Sequence, residues 1–226
     1  MRHLFLYIAL TAALLASCEN DTYDKGEGAY SYLQADFVEA HANGEKEIDY
    51  VITDNGDSLS LVTPCAAAWA KTADSTYRAA LYYDKVEGGK AKAVIIEQML
   101  TISLTPADSI KEMKTDPIGV EAVWTDSRKR YVNLTLTLKV GTVSNDSEKH
   151  KVTLVPDSLH FNSHDTSRTL HLTLYHDKGD IPEYYTEKYY FSLPSAHFSA
   201  LNADSVAIHA NTTASGMKTL TVSLRR

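Results

Sequence analysis

Strict alternation of apolar and polar residues sets the terms for this chain. Val132, Leu134, Leu136, Leu138 and Val140 interleave with Asn133, Thr135, Thr137 and Lys139. Successive side chains point to opposite faces in an extended strand, so this run predicts a half-buried strand with its polar row outside. Leu170, Leu172 and Leu174 form another such set, and Leu220, Val222 and Leu224 another. Ser144-Asn145-Asp146-Ser147 predicts a turn toward Val152 and Leu154, and Ala214-Ser215-Gly216-Met217 reads as a hairpin turn. Roughly seven short strands over about a hundred residues predict an Ig-like antiparallel sandwich across 116–226. The term is architectural, because the cysteines cannot supply an inter-sheet disulfide.

The first half alternates too. Ile48, Tyr50 and Ile52 lead into Asp54-Asn55-Gly56-Asp57, and Leu59 and Leu61 follow. Asn-Gly between alternating segments is a hairpin signal, because both residues tolerate positive φ. Tyr30 to Val38 predicts an opening strand, and Arg78–Val86 and Ala93–Leu104 predict two more around Glu87-Gly88-Gly89-Lys90. Strands at this spacing suit a small barrel or a sandwich. Thr63 and Pro64 could open a short helix over Ala66–Ala70. Pro106 to Thr115, polar and followed by Pro117 and Gly119, marks the expected domain boundary, giving bodies at 30–115 and 116–226.

The amino terminus carries a different signal. Arg2 and His3 precede an apolar run from Leu4 to Ala16 broken only by Thr11. That run is short for a membrane span and reads as the apolar region of a signal peptide, residues 1–17. Leu15-Ala16-Ser17-Cys18 has the pattern of a lipobox, which predicts cleavage before Cys18 and lipid on its thiol. Residues 18–29, with Glu19, Asp21, Asp24 and Gly26, then serve as a tether. The acidic residues behind Cys18 resemble export signals that send Bacteroidetes lipoproteins to the outer face of the outer membrane; solubility of a tether is the other reading. The periplasmic face is the alternative address. Once Cys18 is lipidated, Cys65 has no disulfide partner, and it reads as a small core filler.

A net charge of −7 and the lack of a basic stripe exclude nucleic acid as a partner. Arg128-Lys129-Arg130 is the one dense basic run and reads as a solvated hairpin tip. Fourteen tyrosines against five phenylalanines suit half-exposed sheets and contact surfaces.

Two segments carry a family resemblance. Val123-Trp124-Thr125 precedes Tyr131-Val132-Asn133-Leu134, and Leu170-His171-Leu172-Thr173-Leu174-Tyr175-His176-Asp177 precedes Tyr189-Tyr190-Phe191-Ser192-Leu193. On these the chain resembles the NigD-like lipoprotein family of Bacteroidetes. The resemblance implies an OB-like N-terminal barrel before the sandwich, and the family name links it to bacteriocin-type operons. It has no established catalytic residues to carry over. The expected fold is therefore mainly β: a small OB-like barrel followed by an Ig-like antiparallel β-sandwich.

Chemistry-bearing constellations are sparse. His160, His164, His171 and His176, with Asp165 and Asp177 nearby, are candidate zinc ligands, yet no HExxH helix preorganises them. Solvated histidines on strands and turns are the favoured reading, so no metal, cofactor or catalytic residue is assigned. Gly88-Gly89 lacks the GK[ST] of a phosphate cradle, and no GxSxG elbow occurs. Ser58, Ser109, Ser158 and Ser205 each follow Asp and precede an apolar residue. These resemble Bacteroidetes O-glycosylation sites, and the same pattern is also a turn entering a strand. The expected function is a lipid-anchored cell-envelope protein with a non-enzymatic binding or accessory role. Its partners would be the membrane through Cys18 and a protein or glycan at the cell surface. A metal-assisted hydrolase built on the His160–His176 cluster and a bacteriocin-immunity-like lipoprotein are the alternatives.

Overall fold

The computed structural model describes residues 33–142 and 149–225. Cys18, the signal and tether segments and the Ser144–Ser147 turn lie outside the described residues. Five strands come first: β1 (Gln34–Ala42), β2 (Glu47–Thr53), β3 (Ser58–Ala66), β4 (Thr76–Val86) and β5 (Lys90–Gln98). They close into a barrel in the order β1-β2-β3-β5-β4, with β4 pairing back onto β1. Closure removes both sheet edges, the arrangement of an OB-like barrel. Inward positions are taken by Val38, Ala40, Ile48, Val51, Leu59, Ala79, Leu81 and Ala91, and the alanines suit a narrow interior.

Eight further strands build the sandwich. They are β6 (Leu100–Thr101), β7 (Gly119–Thr125), β8 (Tyr131–Val140), β9 (Lys151–Phe161), β10 (Arg168–Asp177), β11 (Tyr185–Pro194), β12 (Ser205–Thr212) and β13 (Gly216–Ser223). One sheet runs β13-β12-β10-β9 and the other β6-β11-β8-β7. The β10–β12 and β6–β11 pairings are parallel and the rest antiparallel. Leu134, Leu136, Leu154, Leu170, Leu172, Leu174, Val206 and Ile208 meet between the sheets. Barrel and sandwich belong to one compact unit starting at Gln34.

Local readings change in four places. Pro64 lies inside β3, which runs on to Ala66, so the short helix expected over Ala66–Ala70 is replaced by strand and a turn at Ala68–Trp69. The strand expected over Ala93–Leu104 breaks: β5 ends at Gln98, and Leu100–Thr101 pairs with β11 of the sandwich instead. The polar row of β8 is outside only at its far end, where Lys139 is exposed and Thr137 half-buried. Asn133 and Thr135 are buried, Asn133 beneath Arg78 and Asp54 of the barrel. Cys65 is a half-buried residue of β3 packed against the barrel core.

A candidate binding site at the barrel–sandwich seam

The roof over β8 is fastened by one arginine. On β4, Ala79, Leu81 and Tyr83 point into the barrel, so Arg78, Ala80 and Tyr82 belong to the opposite row of the strand. Arg78 is only 5% exposed. Its two terminal nitrogens donate to the two carboxylate oxygens of Asp54, each at 2.7 Å. Its Nε donates to Ser192 Oγ at 3.0 Å, and Nη2 also reaches Asn133 Oδ1 at 3.2 Å. Ser192 and Asn133 are cross-strand partners on β11 and β8, and Ser192 Oγ donates to Asn133 Oδ1 at 2.7 Å. Asn133 Nδ2 returns a bond to Asp54 Oδ2 at 3.1 Å. The guanidinium also lies over the Tyr131 ring at 4.3 Å. Geometry of this kind satisfies a buried charge on every side, which is what such a charge requires.

A second clasp sits beside it. The β7–β8 hairpin tip, expected to be solvated, keeps Arg128 exposed and also docks on the barrel. Arg128 Nη2 donates to the Gly56 carbonyl at 2.9 Å, and the Ser127 N–H donates to the Asp54 carbonyl at 2.9 Å. Arg130 pairs with Glu39 of β1 and with buried Asp126. Tyr131 donates its hydroxyl to Glu39 at 2.9 Å. Burial and that carboxylate push the Tyr131 phenol well above its ordinary range, so it stays a donor. The basic tip thus meets barrel carboxylates and carbonyls, which a reading of local composition could not show.

Between the two clasped bodies lies a cleft of about 440 Å³, within the range of small-ligand pockets. Phe37 from β1 stacks on Trp124 from β7 at 5.7 Å and meets Tyr190 from β11 edge-on at 5.2 Å. Tyr82, Asp36, Asn55 and Glu97 complete the walls. Tyr82 and Tyr190 are both exposed, so their rings are available for contact. Asp36 accepts the Tyr83 hydroxyl at 2.8 Å and Asp54 holds Arg78, so both carboxylates already serve fixed partners. The cleft offers stacking faces and a polar rim. Of these residues, sequence reasoning singled out Asp54 and Asn55 as a turn and Trp124 and Tyr190 as parts of a resemblance. The missed signal was Asn133, a poor strand former near the start of β8.

The four candidate histidines do not gather into one cluster, although the His160 and His171 rings lie 6.0 Å apart. His171 and His176 are five positions apart on β10, which places them on opposite faces. His176 faces inward, only 2% exposed, so the expectation of a solvated side chain fails there. His171 pairs with His209 at 2.8 Å, while His160 and His164 are exposed. Among the described residues, no group of three or more His, Cys, Asp or Glu is placed to hold a metal ion. Ser58, Ser109 and Ser158 are exposed, whereas Ser205 is half-buried and its hydroxyl bonds Thr169 at 2.8 Å.

Comparison with known proteins agrees with this architecture. Residues 101–224 match the model of the NigD-like C-terminal beta sandwich domain. A NigD-like immunity protein from Bacteroides caccae is 24% identical, with 83% of this chain and 92% of that one aligned at a TM-score of 0.62. A protein from Bacteroides fragilis, provisionally described as a lipoprotein, is 15% identical over 86% of this chain and 98% of its own, at 0.61. A protein of unknown function from Bacteroides vulgatus is 14% identical over 84% and 90%, at 0.63. These similarities concern the fold. The search of curated proteins found no match. With more than half of its length matched by the domain model, the chain belongs to the NigD-like family.

Proposed function

We propose that this is a lipid-anchored cell-envelope protein with a non-enzymatic binding role, in which the seam cleft takes hold of a protein or glycan partner. The observation that carries the reading is the Phe37–Trp124–Tyr190 aromatic group, built from both bodies beside the Arg78 clasp. Aromatic faces give contact area at low entropic cost, and a cleft whose walls are pinned by a buried ion pair loses little freedom on binding. Asp36 and Asp54 are engaged with Tyr83 and Arg78, which leaves them as structural groups rather than acid–base catalysts.

The anchor rests on the sequence: an apolar run ending in Leu15-Ala16-Ser17-Cys18, then an acidic tether. On this reading the body stands off the outer membrane and faces outward. Fatty-acid labelling of the native chain and of Cys18→Ser tests the anchor. Label on the native chain alone supports it, and equal label on both contradicts it. Protease treatment of whole cells tests the outward address, and an untouched protein would place it on the periplasmic face.

A further inference from the structure

An imidazole pair at the far end of the sandwich, one ring buried and the other half-buried, has too many contacts for its ordinary number of protons. His176 on β10 and His150, just before β9, approach Nε2 to Nδ1 at 2.9 Å. The outer nitrogen of His176, Nδ1, lies 3.0 Å from the Asp116 carbonyl. The outer nitrogen of His150, Nε2, lies 2.9 Å from the Lys139 carbonyl. Carbonyl oxygens only accept, so each outer nitrogen must carry a proton. The central N···N contact needs a third proton between the rings. Two neutral imidazoles bring two protons in all.

We propose that His150 and His176 form a singly protonated dyad, a proton-holding pin that ties β8 to β10 and to the strap formed by residues 114–118 just before β7. His150 carries the positive charge and donates in both directions, while His176 is neutral with its proton on Nδ1. Burial favours this division, holding His176 below the ordinary histidine range, with the Asp116 carbonyl acting against it and the neighbouring His150 charge acting with it. Loss of the third proton leaves two lone pairs facing across one of the three contacts. Gain of a fourth sets two N–H groups against each other. The pin therefore holds in a window of pH and loosens on both sides of it.

The dyad borders a hollow of about 160 Å³ lined by Pro117, Lys139, Lys178, Ile181, Glu183 and Thr213. Around it, the strap contributes Lys114 and Asp116, β8 contributes Lys139, β9 and its approach contribute Lys149 and Lys151, and β11 contributes Glu187. The end of β10 and the turn beyond it contribute Tyr175, Asp177, Lys178 and Glu183. Asp177 is bound to Lys114 and Glu183 to Lys178, and Asp116 accepts the Lys178 N–H.

The other histidine pair supplies a built-in control. His171 and His209 also meet at 2.8 Å, but the next contact of His209 is the Thr219 hydroxyl at 2.8 Å. A hydroxyl donates or accepts, so two protons satisfy that pair without charge.

Imidazole proton–nitrogen correlation NMR on the full chain, labelled with 15N at histidine, counts these protons directly. Near pH 6 the expected result is three protons on the four dyad nitrogens, with His176 in the Nδ1–H form, whereas the contacts of the His171–His209 pair require no third proton. Two or four protons on the dyad would overturn the proposal. Thermal unfolding of native chain and His150→Gln across about pH 5 to 8 gives a second reading. The expected result is a native midpoint that peaks within the range, with the excess over His150→Gln shrinking on both sides. A constant offset between the two at every pH would show packing without a proton switch and overturn it.

Discussion

Asp54 and Arg78 form a bidentate pair, 2.7 Å at each arm, in which both residues belong to the barrel while the remaining donors of the arginine reach the sandwich. One side chain is thus held by its own body and spent on the other. The seam follows from that geometry, and so does the aromatic cleft beside it.

Removing one partner strands the other as a buried charge. Asp54→Ala or Arg78→Met is expected to cost about 3–5 kcal/mol, the usual penalty for breaking a buried pair. Denaturant unfolding of the full chain measures it. The double change Asp54→Leu with Arg78→Met should be milder than the sum of the singles, because no charge is left unpaired.

How much of this was legible beforehand depends on the range of the contacts. Leu170, Leu172 and Leu174 announce their strand because burying one face imposes a two-residue period at short range. The barrel-then-sandwich order came through the family resemblance. The seam stayed hidden because Arg78 and Ser192 are 114 positions apart and Arg78 and Asn133 are 55 apart. Local pattern made Asn133 a solvated strand residue and Arg128–Arg130 a solvated tip. Asn133 is buried under the barrel, and the tip, with Arg128 still exposed, bonds to barrel groups far away in sequence. The rival histidine cluster rested on nearness in sequence, and the strand period splits His171 from His176.

His41 gives a pH prediction with a fixed sign. Its ring stacks on Tyr50 at 4.2 Å, and burial lowers its pKa from the ordinary histidine value. Glu39 and Asp49 oppose that shift and Arg130 adds to it. The unfolded chain therefore takes up this proton before the folded one does. The stability is present above about pH 6.5 and is lost as pH falls from there through the lowered folded value. Comparing thermal midpoints at pH 7.5 and pH 5, His41→Gln should lose less on acidification than the native chain. An equal loss would remove His41 from the account.

The four Asp-Ser-apolar sites separate by accessibility. Ser58, Ser109 and Ser158 are exposed, and the Ser205 hydroxyl is engaged with Thr169. If these motifs are glycosylated, peptide mass mapping of protein from its native host should find glycan on the first three and none on Ser205. An unmodified mass for the whole chain would dismiss the motifs as turns.

The central claim is that the seam cleft is where a partner binds, and photo-crosslinking in intact cells tests it most directly. A photoreactive residue at Tyr190, on the cleft wall, is compared with one at Met217, exposed on β13. The account predicts a discrete adduct from position 190, absent from position 217 and lost when Trp124→Ala removes the stacking face. No adduct from position 190, or the same products from both positions, would contradict it.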